Sequence, residues 1–386
     1  MNRFSVFILV LATVGLYAWP AYHWFSTREP ASFVTVPAID VNRPDGPFIH
    51  REFISPAAKR GMVHVSSICE LRQGGLAAAW YGGSREGGRD VSIFFSTKGP
   101  DEARWSRPQV VVDRASACRD LSRYVKKVGN PVLFSDAGGR LWLIYVTITV
   151  GGWSGSSLNM TWSDDGGETW SRSRRLTLSP FFNISELVRG RPVPMSNGGF
   201  AVPIYHECLG YFPEILWLRS GEGGTEVCLK KSRMAAGGSF FQPSMVTFGP
   251  SHAVALYRSR GPARVIGRAI TGDAGATWSR PEILSLPNPD SAVDALLLSD
   301  QRMLLAFNDS PAVRENLGLA VSRDLGRHWT RAATIESAPE AEFSYPYMIR
   351  TRDGRIHLVY TWDRKRIAHV VFNEAWVNAQ VKGETW

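Results

Sequence analysis

The chain has 386 residues and a mass of 42.8 kDa, enough for two or three ordinary domains unless a repeat joins them into one. Its 44% hydrophobic and 20% charged residues and mean hydropathy of -0.13 exclude a disordered, collagen-like or polytopic membrane chain, while 36 Gly, 23 Pro and 14 Trp point to many short strands and tight turns. The formal charge of +9 is scattered without a basic block, and no zinc-ligand spacing, helix-turn-helix or RNA-binding aromatic motif accompanies it, so nucleic acid is not an expected partner.

Met1-Asn2-Arg3 precedes an apolar run from Phe4 to Trp19 that is closed by Pro20, the pattern of an export segment over residues 1–24. Bulky Trp19-Pro20 separates Ala18 from Ala21, so no small-x-small cleavage site is evident, and both a cleaved signal and a retained anchor over residues 4–22 stand. A retained anchor keeps Arg3 in the cytoplasm and uses Tyr17, Trp19, Tyr22 and Trp24 as an interfacial belt. The rest of the chain is then expected on the periplasmic or extracellular side, touching the membrane through this segment only. In that oxidising compartment Cys69, Cys118, Cys208 and Cys228 allow up to two disulfides, with three pairings open. None of the four lies in a CxxC or near a His at ligand spacing, so no metal centre is expected. Residues 25–54, with Pro30, Pro37, Pro44 and Pro47, read as a tether ending in a first edge strand.

From residue 55 to about 375 one phrase recurs six times: a polar residue opening a β-rich run, a Gly-bearing turn, a second apolar run, then a polar hairpin. The openers are His64, Asn130, Arg191, Gln242, Asp294 and Tyr345, and the second runs end at Tyr81, Tyr145, Tyr205, Tyr257, Phe307 and Tyr360. Three hairpins share one signature: Ser163-x-Asp165-x-Gly167-x-Thr169-Trp170, Thr271-x-Asp273-x-Gly275-x-Thr277-Trp278, and Ser322-x-Asp324-x-Gly326-x-His328-Trp329. In each, the Asp can accept backbone N–H bonds, the Gly supplies a positive φ and the Trp plugs the turn from beneath. Asp273 follows Asp165 by 108 residues, twice 54, and Asp324 follows Asp273 by 51. Worn copies are expected at Ser96 to Trp105 and near residue 219. A period near 54 matches a four-stranded propeller blade, so the fold class expected is all-β, a six-bladed β-propeller followed by a tail over 376–386.

On these boxes the sequence resembles the bacterial sialidase (neuraminidase) family of BNR repeats, closest to its predicted neuraminidase-like branch. The resemblance covers about residues 55 to 375 and implies a six-bladed propeller whose boxes stabilise hairpins away from the active site. It also implies three arginines on a substrate carboxylate, a Tyr nucleophile activated by a Glu, and an Asp as acid/base. Tyr345, eight residues before Asp353-Gly-Arg, matches the nucleophile, and Arg258 and Arg314 match two of the arginines. His64 stands where the first arginine belongs and Gln242 where the activating Glu belongs; an amide cannot take the phenol proton. In the acid/base loop, Tyr81 to Asp90, Glu86 is the carboxylate in register and Asp90 the second choice.

In a propeller the inner strands line a central funnel, so the six openers are expected at one mouth, with Asn130, Arg191 and Asp294 among the substrate-binding groups. Glu207, in Tyr205-His206-Glu207, and Asp294 are candidates for the missing activator. The reading that follows is an exo-glycosidase of sialidase type acting on an anionic sugar, with Tyr345, Glu86, His64 and Gln242 as catalytic positions. The alternatives are another uronate- or ulosonate-processing enzyme using His64 and Tyr345, and a non-catalytic carbohydrate-binding propeller. No nucleotide, flavin or thiol-redox motif is present, so no cofactor is expected.

Overall fold

The computed structural model describes residues 6–7, 12–13, 15, 31–34, 46–58, 61–178, 183–220, 227–234 and 239–381. The chain divides into two units, Met1–Ser32 and Phe33–Trp386. Most of the export segment, most of the tether and the worn box near residue 219 lie outside the described residues. Among the described residues no helix is long and apolar enough to cross a membrane.

The second unit is a six-bladed β-propeller. Blade one comprises β2 (Met62–Glu70), β3 (Leu76–Gly83), β4 (Ser92–Lys98) and β5 (Gln109–Val112), running from the channel outward. Blade two is β6 (Lys127–Ser135), β7 (Leu141–Ile148), β8 (Ser156–Ser163) and β9 (Arg174–Arg175). In blade three the inner run is broken into β10 (Leu187–Val188) and β11 (Val193–Pro194), both pairing with β12 (Phe200–His206), which continues to β13 (Phe212–Ser220) and β14 (Val227–Arg233). Blade four is β15 (Phe240–Thr247), β16 (Ala253–Ser259), β17 (Val265–Thr271) and β18 (Glu282–Pro287). Blade five is β19 (Asp294–Leu297), β20 (Met303–Phe307), β21 (Asn316–Ser322) and β22 (Thr330–Ser337). Blade six is β23 (Phe343–Arg350), β24 (Ile356–Trp362) and β25 (Arg366–Phe372), completed on its outer edge by β1 (Ile49–Phe53), which pairs antiparallel with β25 from Ile49 opposite Phe372 to Phe53 opposite Ala368. The last blade thus takes a strand from before the first, which ties the ring shut without an open edge.

The second strand of every blade is buried on both faces and packs against its neighbours, which is why those runs are predominantly apolar. The boxes are hairpin fasteners. Ser163 Oγ donates to Asp165 Oδ1 at 2.7 Å and accepts the Gly167 N–H at 2.8 Å, and Thr271–Gly275 and Ser322–Gly326 repeat the arrangement at 3.0 and 2.9 Å. Gly167 has φ of 101°, and a Cβ there would sit 2.3 Å from the Phe95 ring. The worn hairpin at Ser96 lacks the Ser, Asp and Gly of the box but keeps its Trp and the bond that closes its base: Thr97 N–H donates to Ser106 Oγ at 3.0 Å, as Trp162 N–H does to Ser171 Oγ at 3.1 Å.

Two helices join the strands, and the expected disulfides are corrected. A helix, α1 (Arg114–Leu121), joins blades one and two, capped by Asp113, whose side chain accepts the Ser116 N–H at 2.7 Å; this local cap overrides the strand-rich surroundings. A second helix, α2 (Glu374–Gln380), spans the junction between the propeller and the tail; it buries Val377 and pairs Glu374 with Arg350 at 3.0 Å. Cys69, Cys118 and Cys208 are free thiols, since they stand on β2, on α1 and in the loop after β12; the side chain of Cys228 lies outside the described residues.

Candidate active site

Each inner strand has one edge on the channel, and four of them bulge at the same place. The registers slip between His64 and Ser66, Gly129 and Val132, Phe241 and Ser244, and Ser344 and Tyr347. The residues that open these bulges, Val65, Asn130, Gln242 and Tyr345, have φ of 46°, 46°, 51° and 56°. A left-handed backbone at four non-glycine residues is strain held in place by the surrounding sheets. Pro131, Pro243 and Pro346 follow three of them, as suits a bulge that needs no N–H for the ladder. His64 therefore lies one residue ahead of the phase shared by Asn130, Gln242 and Tyr345.

The Tyr345 ring is the centre of the cluster. His64 meets it edge-on, with centroids 4.8 Å apart, and the guanidinium carbons of Arg189 and Arg314 stand 5.4 and 5.9 Å from its centroid. Its hydroxyl accepts from Arg258 Nη1 at 3.5 Å, and the same nitrogen donates to Gln242 Oε1 at 3.0 Å. Gln242 Nε2 and Asn130 Nδ2 both donate to the Tyr205 hydroxyl, at 3.0 and 3.3 Å. One residue orients two arginines: Asp290, at φ 56° in the loop after β18, accepts Arg258 Nε on its carboxylate at 2.7 Å and Arg314 Nη2 on its carbonyl at 2.7 Å.

His64 Nδ1 lies 3.0 Å from Thr361 Oγ1, which also accepts the Val65 N–H at 3.1 Å. Burial, aided by the charge of Arg364, lowers the His64 pKa to about 3, so the ring is neutral at ordinary pH. Arg364 caps the β24–β25 hairpin, where Asp363 and Arg364 both have positive φ, 49° and 50°. Its Nη1 donates to Glu86 Oε2 at 2.7 Å and its Nε to Glu342 Oε2 at 2.6 Å. Burial pushes both carboxyls up, but the Arg364 bonds outweigh it: Glu86 ends below its ordinary range, and Glu342, which also accepts from Ser344 Oγ at 2.7 Å, at about 2. Lys127, at the start of β6, stands 4.2 Å from the Trp153 ring centroid, and burial lowers its pKa although the charge of Glu86 opposes this.

The tertiary structure thus gathers Tyr345, His64, Gln242, Asn130, Arg258, Arg314 and Glu86. It sets three other expected residues apart. Asp294 braces inner strands, accepting from Ser244 Oγ at 2.6 Å and from the Met348 N–H at 2.6 Å. Arg191 donates to the carbonyls of Met348 and Ala295, and Asp90 staples its own loop, accepting the Ser84 N–H at 2.7 Å and Ser84 Oγ at 2.8 Å. These polar groups complete backbone bonding at blade seams and turns, a demand that repeat phase does not distinguish from ligand binding. Of the Tyr205-His206-Glu207 run, Tyr205 and Glu207 belong to the site. The Glu207 carboxyl is raised by burial against the opposing charges of Arg258 and Arg260, whereas His206 stacks on Phe212 at 4.5 Å and accepts the Leu209 N–H at 3.1 Å. Sequence reading missed Arg189, Asp290, Glu342 and Arg364; the signal for Arg364 was a two-residue hairpin, Asp363-Arg364, with no glycine to relieve it. Among the described residues no group of three or more His, Cys, Asp or Glu could hold a metal.

Burial also keeps His357 and His206 neutral, at about 3 and about 4. With His64 they bind protons near pH 6.5 only when unfolded, so stability is full above that pH and falls as the pH drops toward 4. Glu342 and Glu52, held at about 2 against 4.5, add a further loss between those values. A melting-temperature series from pH 8 to 3 is expected to turn downward near 6.5, and His64→Gln is expected to flatten the slope; a flat profile down to pH 5 would contradict the neutral histidines.

The family described as BNR repeat-like domain matches residues 74–358. No curated protein sequence matches the chain. Among solved structures, a protein of unknown function from Dyadobacter fermentans superposes with a TM-score of 0.66 at 14% identity, covering 84% of this chain and 99% of that one. The Hadza microbial sialidase Hz136 gives 0.67 at 16% identity over 83% of this chain and 66% of its own. The intramolecular trans-sialidase of Ruminococcus gnavus, solved with oseltamivir carboxylate, gives 0.65 at 14% identity over 86% and 98%. At such identities the likeness is one of fold. The family match spans most of the chain, and the chain belongs to the BNR repeat-like family, with a sialidase-like six-bladed propeller.

Proposed function

We propose that this chain is an exo-glycosidase of sialidase type that removes an anionic terminal sugar with retention, through a Tyr345 nucleophile. The observation that carries the reading is the convergence of Arg258, Arg314 and Arg189 on a tyrosine held in a left-handed bulge, an arrangement that a bare scaffold does not need. Arg258 and Arg314 grip the carboxylate of the sugar, a task suited to the planar guanidinium. Arg364, beside His64, serves as the third cation in place of an arginine from blade one.

In the first step the Tyr345 oxygen attacks the anomeric carbon, its proton passes to neutral His64, and Glu86 protonates the departing glycosidic oxygen. Arg258 stabilises the charge on the phenol oxygen during attack. Gln242 cannot take the proton; it links Arg258 to Tyr205 and fixes both. Water then cleaves the aryl-glycoside bond between the sugar and Tyr345, Glu86 taking the proton of the water while His64 returns its proton to the departing phenol oxygen. A neutral nucleophile suits an anionic sugar because a carboxylate would be repelled.

Glu86 is a poor acid while Arg364 holds it ionised, so the carboxylate of the substrate has to draw Arg364 away before Glu86 can carry a proton. Arg364→Met is accordingly expected to lower kcat/KM and to move the alkaline limb of the pH profile upward; an unmoved limb would remove Glu86 from the role. The test of the function is hydrolysis of a fluorogenic sialoside by the full chain, beside a panel of other acidic glycosides. Turnover of another acidic glycoside alone would reassign the sugar, and silence throughout from folded protein would favour a binding propeller, the reading that Gln242 and His64 speak for.

A further inference from the structure

Lys127 is 8% exposed, and among the described residues its ammonium makes no hydrogen bond and no ion pair. What it has is the face of Trp153, 4.2 Å away, and the Gly-rich loop of blade one above it, where a Cβ on Gly87 would come within 3.1 Å of Nζ. The nearest carboxylate, Glu86, is bonded to Arg364. The lysine stem is buried while its ammonium makes no hydrogen bond to the protein, and a ring face does not satisfy its three N–H donors as an oxygen would. Trp153 is fixed in this position from below, since its ring edge packs on Gly129, where a Cβ would stand 2.9 Å from it.

The charge count around the site points the same way. Lys127, Arg189, Arg258, Arg260, Arg314 and Arg364 are six cations, facing four carboxylates, Glu86, Glu207, Asp290 and Glu342, an excess of two positive charges. Asp294, the acid that faces Arg189, is balanced by Arg191 on the same inner strands. A substrate with one carboxylate answers half of that excess.

We infer that Lys127 is the cation of a second anion subsite on the leaving-group side of the scissile bond, so that the substrate is an acidic sugar joined to a unit that itself bears an acid. The placement rests on the proposed function, because Lys127, at the start of β6, lies against the blade-one loop that carries Glu86, the group assigned to protonate the departing oxygen. Arg258 and Arg314 hold the first acid, and Lys127 the second, with Trp153 backing the ammonium. The ligand chemistry is an anionic oxygen, and the class is an oligosaccharide in which acidic units follow one another.

The test is isothermal titration of the full chain with two hydrolysis-resistant thio-linked disaccharides that share the acidic terminal sugar, one carrying a carboxylate on the second sugar and one neutral there. Wild-type protein is expected to bind the di-acid at least tenfold more tightly, with a preference that shrinks as salt rises. Within each variant the ratio of the two affinities is read, so a general weakening cancels. Lys127→Met is expected to bring the ratio close to one and Lys127→Arg to keep it. Equal affinities in the wild type, or a preference that survives Lys127→Met, would overturn the subsite while leaving the single-acid site standing. Binding of neither disaccharide would overturn both the subsite and the proposed function.

Discussion

Tyr345→Phe is expected to lower kcat/KM for an acidic glycoside by on the order of a thousandfold or more, with most of the loss in kcat. The change deletes one oxygen. The ring remains edge-on to His64 and between Arg189 and Arg314, so the grip on the carboxylate and the packing of β23 persist and KM stays within a few-fold. The removed oxygen is the one that Arg258 contacts at 3.5 Å, and the amide of Gln242 offers no replacement nucleophile. A Phe variant that keeps wild-type turnover would sink the tyrosine mechanism, and one that loses its fold would show that the bulge, not the chemistry, needs the hydroxyl. Steady-state kinetics beside a thermal melt separate the two.

Arg258→Met is expected to weaken binding of the acidic substrate roughly a hundredfold, through KM, and to destabilise the fold as well. Arg258 is 8% exposed, and its loss leaves the Asp290 carboxylate without its 2.7 Å partner in a poorly hydrated setting, a penalty of about 3 kcal/mol for a broken, largely buried pair. The effect spreads because Asp290 also holds Arg314 through its carbonyl, so one substitution loosens two guanidiniums. Ligand titration with a non-hydrolysed acidic sugar, and urea unfolding of the same protein, measure the two losses. An unchanged affinity would mean that the carboxylate is held elsewhere. Arg314→Met, with the Arg314 side chain 23% exposed and paired more loosely to Glu342 at 3.4 Å, is expected to cost less of both.

The blades were legible because their causes are local in sequence. An Asp two residues after a Ser or Thr, a Gly two further on and a Trp three beyond that dictate a turn wherever they occur, and three such turns near a common period dictate a stack of similar sheets. The inner runs and the buried second strands were equally plain, since a strand covered on both faces reads as a largely apolar run. The phase of the openers was not. Asn130, Gln242 and Tyr345 share a bulge that His64 precedes by one residue, and the Asn-Pro, Gln-Pro and Tyr-Pro pairs mark those bulges, not the strand starts.

Polarity at the mouth was legible, but its division between chemistry and bracing was not. Asp294 and Arg191 occupy the same repeat positions as Gln242 and Asn130, yet their hydrogen bonds close the seams between inner strands of different blades. Glu342 and Arg364 carried no repeat signature; they reach the site because a hairpin in blade six folds over the loop of blade one, hundreds of residues earlier in the chain. The sequence by itself determined the blade and its period, written in short-range patterns of turn residues and alternating burial, and resemblance singled out Tyr345, Arg258 and Arg314, which the fold brings together. Which carboxylate faces which guanidinium, that His64 is kept neutral and that Lys127 is left unpaired were decided only when the ring closed, because charge pairing and desolvation depend on distances that bulges and loops set in three dimensions.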